Sequence, residues 1–356
     1  MFKFIHTGDI HLGSKFKNSH FGGEIGSIRR REIWETFEKL IDKVKSENIE
    51  VLLIAGDLFE NDSFTFKDFF RLKGLFERIL STKVVIISGN HDIVSNRSFY
   101  TTEKWPDNVI IIGENGLENI YFEDLNLNIY GFGWDKLTIK NTNLLSQIKI
   151  KENSTNILIL HGDETEDYLN LNINEIKSLN FDYVALGHIH KPKFIYDNIA
   201  YCGSLEPLDI SETGERGYIE GTIGDENTFK FIPFAKRKYI KKKIDISAEM
   251  NYFDVINLVK NDSENCNLDF LILEINGIRA KDFEINIIKE YLQREYFYVE
   301  IIDNTILDFD LRELKNKYEN TLIQYYIDSF TEEELKEELF RKSLYIGLST
   351  LLEGIE

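Results

Sequence analysis

The sequence predicts an α/β fold up to about residue 205, and three patterns indicate it. Apolar runs of strand length alternate with helical stretches, which is the order of elements in a sheet covered by helices. The runs are rich in Val, Ile and Leu without clean polar alternation, as expected for strands buried on both faces. Several runs end in a glycine beside a polar residue, and in open α/β sheets the ligand crevice lies beyond the carboxyl ends of the strands.

The strands and helices of this region follow from apolar spacing. Seven strands are predicted, at Phe2–Ile5, Val51–Ala55, Val84–Ile87, Val109–Ile112, Leu127–Tyr130, Ile157–Leu160 and Tyr183–Leu186. Two amphipathic helices lie between the early strands. The first carries Ile33, Phe37, Leu40, Ile41 and Val44 on one stripe, and the second carries Phe66, Phe69, Phe70, Leu75, Phe76 and Ile79. From Tyr201 to Pro233 the chain is rich in β-type segments.

Three domains are predicted, at 1–233, 234–303 and 304–356. The second is a small α/β unit with strands at 239–246, 270–275 and 298–302 and helices at 252–260 and 284–293. The last segment is helical and acidic, and Thr331 with Glu334 has the spacing of a capping box. Its apolar stripe has two interpretations: a helix packed on its own domain, or a docking helix for a partner.

Composition and charge exclude several classes of protein. Hydrophobic residues make up 42% of the 356 residues, which rules out wholesale disorder. The formal net charge of −19 excludes a protein that binds nucleic acid over its whole surface, because such a surface should be basic. Cys202 and Cys266 make neither a disulfide framework nor a CxxC metal site. No apolar run approaches the ~18 residues of a membrane span, and the N-terminus lacks the apolar stretch of a signal peptide, so we expect a cytoplasmic protein without a membrane partner.

Five polar clusters at predicted strand ends carry the chemistry. They contain Asp9 and His11, Asp57, Asn90 with His91 and Asp92, His161, and His188 and His190. Both the Asp9/His11 and the His188/His190 pairs have i, i+2 spacing, which sends two side chains to the same side. All of these residues except His91 and Asp92 are ligand candidates, and seven ligands are too many for one tetrahedral zinc but suit two metals that share a carboxylate. Each residue alone is more often a cap or a loop hydrogen bond, but the ordered set favours a metal site.

The order of these motifs resembles that of the calcineurin-like metallophosphoesterases. The segments Ile10-His11-Leu-Gly13, Ala55-Gly-Asp-Leu-Phe59, Gly89-Asn-His-Asp92 and Ala185-Leu-Gly-His-Ile-His-Lys-Pro192 look like those of the SbcD-type DNA double-strand-break repair nucleases. Tyr201-Cys-Gly-Ser-Leu-Glu-Pro-Leu-Asp209 and Gly214-Glu-Arg-Gly-Tyr218 resemble the segment that follows the last metal motif of those nucleases. The resemblance implies a four-layer α-β-β-α sandwich with a small α/β capping domain and a helical C-terminal tail.

The resemblance also assigns roles to the candidate residues. One metal would take Asp9, His11, Asp57 and His190, and the other Asp57, Asn90, His161 and His188, with Asp57 bridging. His91 would be catalytic rather than a ligand, and Asp92 would orient it. The mixture of donors suits Mn²⁺, Fe²⁺ or Zn²⁺ better than Mg²⁺ or Ca²⁺, and the habit of the family suggests two Mn²⁺ ions. Some members carry a second functional histidine three residues after the bridging Asp, where this chain has Glu60.

The implied activity is metal-dependent hydrolysis of DNA phosphodiesters. Two divalent ions against Asp9 and Asp57 would leave the centre near +2 and attract phosphate. Basic residues on segments that leave the motifs could contact DNA, although each is equally well an ordinary solvated charge: Lys15, Lys17, Arg29, Arg97 and Lys191. The basic run at 236–243 is either a DNA contact or the edge of a strand, where Lys discourages edge pairing.

Partners and alternatives complete the prediction. The resemblance implies a nuclease subunit that dimerises and docks an SMC-like ATPase of SbcC type through residues 304–356, in a nucleoid-associated cytoplasmic complex. One alternative is a metallophosphoesterase that acts on small phosphoesters or phosphoproteins, and another is a non-catalytic DNA-end scaffold. The second domain and the tail argue against the first alternative. The complete ligand set with His91 argues against the second.

Overall fold

A computed structural model describes residues 1–16, 23–114, 116–135, 145, 148–164, 171–260 and 268–354. The chain divides into two compact units, Met1–Lys238 and Tyr239–Glu356. The first division therefore falls after Lys238, whereas the sequence places it after residue 233. The three-part division at 1–233, 234–303 and 304–356 stays a prediction.

The first unit consists of strands with helices between them. Its strands are β1 (Phe2–Thr7), β2 (Val51–Ala55), β3 (Lys83–Ile87), β4 (Val109–Ile111), β5 (Leu117–Phe122), β6 (Leu127–Phe132), β7 (Thr155–His161), β8 (Tyr183–Gly187), β9 (Lys193–Tyr196), β10 (Ile199–Tyr201), β11 (Gly217–Ile223) and β12 (Thr228–Pro233). Its helices are α1 (Gly23–Ser46), α2 (Phe66–Glu77), α3 (Phe99–Thr102) and α4 (Ile173–Ser178), with a 3₁₀ turn at Glu123–Leu125. A strand lies at each of the seven positions that apolar spacing predicts.

The strands form two six-stranded sheets. The first has the order β12-β11-β1-β2-β3-β4. Strands β1 to β4 are parallel, β11 pairs antiparallel with β1, and β12 pairs antiparallel with β11. The second has the order β5-β6-β7-β8-β10-β9, with a parallel centre from β6 to β10 and antiparallel edges. Both central regions are parallel, so the carboxyl ends of their strands leave each sheet at one edge.

Three apolar layers make this unit a four-layer α-β-β-α sandwich. Helices α1 and α2 cover the outer face of the first sheet, where Phe37 packs in one cluster with Leu52. The two sheets pack face to face through Val51 and Ile157. Helix α4 covers the outer face of the second sheet through Ile176. The predicted fold class is confirmed.

A buried ionic network ties α1 to the end of the first unit. The Arg29 guanidinium donates to Glu32 Oε2 at 2.7 Å and to Glu206 Oε2 at 2.8 Å. Arg237 donates to Glu32 through Nε at 2.9 Å, and Thr36 donates to Glu206. Arg29 is fully buried, so its expected role as a DNA contact is wrong. A charged residue on the buried face of a helix is tolerated only when it is paired, and pairing over such sequence distances leaves no local signal.

The second unit is built on a parallel three-stranded sheet. Its elements are β13 (Tyr239–Ile246), α5 (Tyr252–Lys260), β14 (Phe270–Arg279), α6 (Ile285–Leu292), β15 (Tyr298–Leu307), α7 (Leu311–Lys317), α8 (Leu322–Asp328), a 3₁₀ turn at Glu334–Lys336 and α9 (Glu338–Glu353). The strand order is β13-β14-β15, so β13 is an edge strand. Two lysines of the basic run, Lys241 and Lys243, lie on this strand beside Glu274. This placement favours the edge-strand interpretation of the run.

The C-terminal stripe packs in part on its own unit. The predicted capping box is present, because Thr331 N donates to Glu334 Oε2 at 2.8 Å and Glu334 N donates to Thr331 Oγ1 at 3.2 Å. Leu344 and Leu348 of α9 are fully buried in one cluster, while Leu339 is exposed. Docking of an ATPase by residues 304–356 stays a prediction. Among the described residues, no helix combines the length and apolar character that crossing a bilayer requires.

Candidate metal centre

The carboxyl ends of β1, β2, β3, β7 and β8 bring the polar motifs together. The loops after β1 and β2 are joined backbone to backbone: Asp9 N donates to Gly56 O at 3.1 Å, and His11 N donates to Asp57 O at 3.0 Å. The loop after β8 joins them, since His188 N donates to the Asp9 carboxylate at 3.0 Å. Motifs separated by up to 179 residues are thereby fixed in one place.

The backbone at the centre is held in unfavourable conformations. Four of the seven predicted ligands have positive φ angles: 48° at Asp9, 52° at His11, 51° at Asp57 and 97° at His188. Such non-glycine residues cost of order 1–3 kcal/mol each and persist only where the surrounding structure enforces them. They gather at functional sites, and here they turn side chains of three different loops toward one another.

Two glycines of the motifs are required by close approach. A Cβ on Gly56, whose φ is +83°, would lie 2.3 Å from His161 Nδ1. A Cβ on Gly89 would lie 2.3 Å from Asp57 Oδ1. Each glycine therefore lets a neighbouring motif approach to hydrogen-bonding distance.

One group of donor atoms matches the first predicted metal position. His11 Nε2 lies 3.3 Å from His190 Nε2, and His190 Nε2 lies 3.9 Å from Asp9 Oδ1. Asp57 Oδ2 lies 3.7 Å from His11 Nε2. Ligand atoms of Asp9, His11 and His190 all lie within 4.8 Å of one another, which is a spacing that one cation can bridge.

A second group of donor atoms also includes Asp57. His161 Nε2 is 3.3 Å from Asp57 Oδ2 and 3.0 Å from Asn90 Oδ1. His188 Nδ1 is 3.2 Å from the same Asn90 oxygen. Asp57 Oδ2 thus faces a histidine of each group, while Asp57 Oδ1 accepts a hydrogen bond from His91 N at 2.8 Å. This is the geometry that a bridging carboxylate needs. All seven predicted ligands lie in the two groups.

Hydrogen bonds to the outer ring nitrogens orient three of the histidines. His161 Nδ1 donates to Ala55 O at 2.8 Å, which directs Nε2 into the cluster. His11 Nδ1 bonds to Glu60 Oε1 at 2.8 Å, and His190 Nδ1 bonds to Glu212 Oε1 at 2.6 Å. A carboxylate or carbonyl behind a histidine fixes the tautomer and strengthens the ring as a metal ligand.

Glu212 is a residue that the sequence analysis missed. Its carboxylate also accepts from Leu208 N at 3.0 Å, so it is anchored within the segment that follows the last histidine motif. The segments Tyr201–Asp209 and Gly214–Tyr218 are singled out by their resemblance to the nucleases, but Glu212 lies between them and no spacing rule identifies it. A contact made 22 residues away through a folded loop has no periodic signature.

Carboxylates dominate the electrostatics of the cluster. Burial disfavours a proton on His161, but the Asp57 and Asp9 carboxylates and the Ala55 carbonyl together outweigh burial and raise its pKa to about 9. Burial also opposes ionisation of Asp57, yet His161, His11 and His91 hold the pKa of this carboxyl well below its usual range. Burial and the nearby His161 lower the pKa of His188. A centre that draws a proton onto a fully buried imidazole is short of positive charge, and divalent cations would supply that charge.

His91 stands at the rim of the centre. Its side chain is 44% exposed, and its Nδ1 bonds to Glu60 Oε2 at 3.0 Å. This hydrogen bond raises the pKa of His91 to about 9. Burial disfavours the charge of Glu60, but its bonds to His11 and His91 lower its pKa to about 2. The ring nitrogen of His91 left for a substrate is Nε2.

Asp92 holds loops together. Its buried carboxylate accepts from Leu58 N at 2.7 Å, from Gly89 N at 2.6 Å and from the Tyr100 hydroxyl at 2.6 Å. Burial and the Asp57 charge raise its pKa to about 6. The carboxylate bonded to the His91 ring is that of Glu60, so a role for Asp92 in orienting His91 stays a prediction. Asp92 instead connects the loops after β2 and β3.

The predicted DNA contacts have mixed placements. Lys15, Arg97 and Lys191 are exposed and lie in segments that follow the first, third and last motifs. Lys17 lies outside the described residues. Contact of these lysines and this arginine with DNA stays a prediction.

A model of the calcineurin-like phosphoesterase family matches residues 2–192. The chain belongs to this family. The members of the family hydrolyse phosphoesters with a pair of divalent metals, and the two donor groups around Asp57 fit such a pair. We therefore describe the chain as a metallophosphoesterase with candidate ligands for two cations.

Two known proteins are similar to this metallophosphoesterase. The uncharacterized metallophosphoesterase YhaO of Bacillus subtilis (strain 168) is 27% identical over 274 residues, which is 72% of this chain and 66% of the relative. The chain thus spans just under two thirds of the length of that relative. The crystal structure of a dimetal phosphatase from Danio rerio has a TM-score of 0.41 and 12% identity, over 64% of this chain and 95% of that chain. A likeness that remote carries no argument about this chain.

Proposed function

We propose that this metallophosphoesterase is a DNA nuclease that hydrolyses phosphodiesters with two Mn²⁺ ions. The observation that carries the proposal is the position of His91. Its backbone N–H bonds to Asp57 Oδ1, at the centre of the donor cluster, while its side chain is 44% exposed. Hydrolysis of a DNA phosphodiester breaks the bond between phosphorus and a sugar oxygen, which leaves as an alkoxide and needs a proton. A histidine beside the metal ligands but outside both predicted ligand sets can provide that proton.

Separate residues would bind the metals, donate the proton and position the ligand rings during hydrolysis. Asp9, His11, Asp57 and His190 would hold one cation, and Asp57, Asn90, His161 and His188 the other. When bound, the pair supplies a nucleophile at neutral pH and neutralises charge on the phosphate oxygens. His91, held through Nδ1 by Glu60, gives a proton from Nε2 to the departing sugar oxygen. Glu60 and Glu212 keep the ligand rings in position.

DNA is the proposed substrate because the side chain of His91 is exposed and because exposed lysine and arginine side chains lie on segments that follow the motifs. An exposed His91 can reach a bond within a long polymer. Lys15, Arg97 and Lys191 are exposed on segments that follow the motifs, where they can pair with backbone phosphates. The resemblance of the motifs and of residues 201–209 and 214–218 to SbcD-type nucleases supports the same substrate.

The proposal includes a partner. A chain with a net charge of −19 repels a polyanion at long range, so affinity for DNA must be local or shared. We propose that an SMC-like ATPase of SbcC type supplies the affinity for DNA, that the nuclease dimerises, and that the complex acts on the nucleoid in the cytoplasm.

The net charge of the chain favours the second candidate function, which is hydrolysis of small phosphoesters or phosphoproteins. These substrates need no basic surface beyond the centre.

One substrate panel tests the proposal. The purified chain with Mn²⁺ is given linear duplex DNA, single-stranded DNA and bis-p-nitrophenyl phosphate. We expect DNA degradation that falls about 10²–10⁴-fold in His91→Ala. The same variant should lose much less on the nitrophenyl ester, because p-nitrophenolate leaves without protonation.

Controls and contrary outcomes are defined for each substrate. Glu77→Gln, on the exposed face of α2, should behave like the natural protein. Calorimetry should show that His91→Ala still binds two Mn²⁺ ions, because His91 is not a proposed ligand. Hydrolysis of only the small ester would refute the nuclease proposal in favour of the second candidate. Metal binding without turnover on any substrate would instead indicate a non-catalytic DNA-end scaffold.

A further inference from the structure

The Glu60 carboxylate bonds to the ring of a predicted metal ligand, His11, and to the ring of the catalytic candidate, His91. Its Oε1 lies 2.8 Å from His11 Nδ1, and its Oε2 lies 3.0 Å from His91 Nδ1. The two rings are edge to face, with centroids 4.7 Å apart and an interplanar angle of 80°. One Glu60 oxygen therefore bonds to the ring of a predicted metal ligand, and the other bonds to the ring of the proposed proton donor.

The backbone around Glu60 is fixed on both sides. Glu60 N donates to Leu12 O at 3.0 Å, and Glu60 O accepts from Phe64 N at 2.8 Å. The neighbouring Asn61 N donates to His91 O at 3.1 Å, so the segments of Glu60 and His91 are bonded to each other directly. The Glu60 side chain is 22% exposed. A carboxylate carried on a backbone that is bonded on both sides can position the rings that it contacts.

We propose that Glu60 is a two-point positioning residue that couples the first metal position to His91. By accepting from His11 Nδ1, it makes Nε2 of His11 the nitrogen that faces His190 and Asp57. By accepting from His91 Nδ1, it makes Nε2 of His91 the nitrogen available to the leaving oxygen. One carboxylate thus aligns a ligand and a proton donor with each other. The part concerning turnover rests on the proposed phosphodiester hydrolysis.

Glutamate suits this task better than other residues of similar size. Its two oxygens accept two hydrogen bonds at once, one from each ring. Glutamine has one acceptor oxygen and would turn an amide N–H toward the second ring, whose N–H is also a donor. A Glu60→Gln variant therefore keeps at most one of the two contacts, with almost no change in size.

The first experiment separates the two contacts by a double-mutant cycle. Turnover of DNA, whose leaving oxygen needs a proton, is measured at saturating Mn²⁺ for the natural chain, Glu60→Gln, His91→Ala and the double variant. We expect Glu60→Gln to lower kcat about 10–100-fold with little change in KM. In the His91→Ala background, the Glu60→Gln substitution should change kcat by less than about threefold, because the His91 ring that Glu60 contacts is absent. An equal loss of kcat in both backgrounds would overturn the contact with His91.

The second experiment needs no activity. Mn²⁺ binding to each variant is measured by calorimetry, and Glu60→Gln should weaken one of the two sites about 10–100-fold, also in the His91→Ala background. Unchanged binding would overturn the contact with His11. Glu212→Gln is the matched comparison, since Glu212 bonds to His190 and not to His91. It should weaken metal binding but change kcat by the same factor with or without His91. Glu77→Gln controls for the lost charge.

Nuclear magnetic resonance keeps the two proposals distinguishable. In the metal-free chain with ¹⁵N-labelled histidine, long-range spectra should show hydrogen-bonded Nδ1–H groups for His11 and His91. At least one of these signals should be lost in Glu60→Gln and retained in Glu77→Gln. If the natural chain hydrolyses none of the esters, the proposed function fails while calorimetry and these spectra still decide the role of Glu60. If both signals persist in Glu60→Gln, the positioning role is refuted.

Discussion

The buried histidine His6 should make the first unit sensitive to acid. His6 lies on β1, is fully buried, and its Nδ1 is 3.0 Å from the Tyr183 hydroxyl. Burial lowers its pKa from 6.5 to about 3. The unfolded chain therefore binds a proton between about pH 6.5 and pH 3 that the folded chain does not, and stability falls as the pH drops through this window.

The size of the effect follows from the two pKa values. The stability that the neutral His6 preserves is fully present above pH 6.5 and is lost progressively below it. Between pH 7 and pH 5 the loss is about 2 kcal/mol, and it approaches about 5 kcal/mol below pH 3. Other groups also titrate in this range, so the contribution of His6 is the difference between the natural chain and a His6→Gln variant. Glutamine can still bond to Tyr183 but does not titrate.

Urea unfolding followed by tryptophan fluorescence measures this difference. All three tryptophans lie in the first unit, so the signal reports the stability of that unit. In metal-free buffer, the natural chain should lose about 2 kcal/mol more than His6→Gln between pH 7 and pH 5. Tyr183→Phe should keep the pH dependence of the natural chain, because burial rather than the hydroxyl causes the shift. Equal losses in the natural chain and His6→Gln would refute the reasoning.

Three further substitutions test other parts of the first unit. Arg29→Met leaves Glu32 and Glu206 buried with fewer partners and should cost about 3 kcal/mol in urea unfolding; a cost within error of zero would contradict the buried network. Asp57→Asn should reduce Mn²⁺ binding in calorimetry from two ions to at most one, whereas two ions of unchanged affinity would exclude a bridging role. Gly56→Ala places a Cβ 2.3 Å from His161 Nδ1, so it should weaken Mn²⁺ binding at least tenfold, and normal binding would show that the loop adapts freely.

Much of the sandwich could be predicted because buried parallel strands have a local signature. Val51–Ala55 and Tyr183–Gly187 are buried along their whole length, so each is a continuous apolar run in the sequence. The polar residue after such a run lies at the strand end, and parallel strands place these ends at one edge. For the same reason, the seven ligand candidates could be named from the order of motifs, and the structure brings them together.

Contacts between side chains of distant loops could not be predicted in the same way. Glu60 and His91 are 31 residues apart, and Arg237 and Glu32 are 205 apart. Neither pair has a period or a fixed spacing, because the contact depends on where two loops meet. Glu60 and Arg237, which both lie in loops, therefore resemble ordinary surface charges in the sequence. Only burial distinguishes them, and burial is a property of the fold.

Two glutamates, Glu60 and Glu212, change the charge balance of the centre through contacts that the sequence analysis did not predict. Asp9 and Asp57 alone would leave two divalent cations with an excess of two positive charges, which could attract a phosphate over a distance. Glu60 and Glu212 bond directly to ligand histidines, so four carboxylates balance the two cations. The affinity for a substrate phosphate then comes from direct ligation to the metals, from His91 and from exposed basic side chains such as Lys15, rather than from a net positive centre.

Because the whole chain is also acidic, the isolated chain should bind DNA weakly at physiological salt. Tight binding under those conditions would mean that a basic surface outside the centre governs recognition.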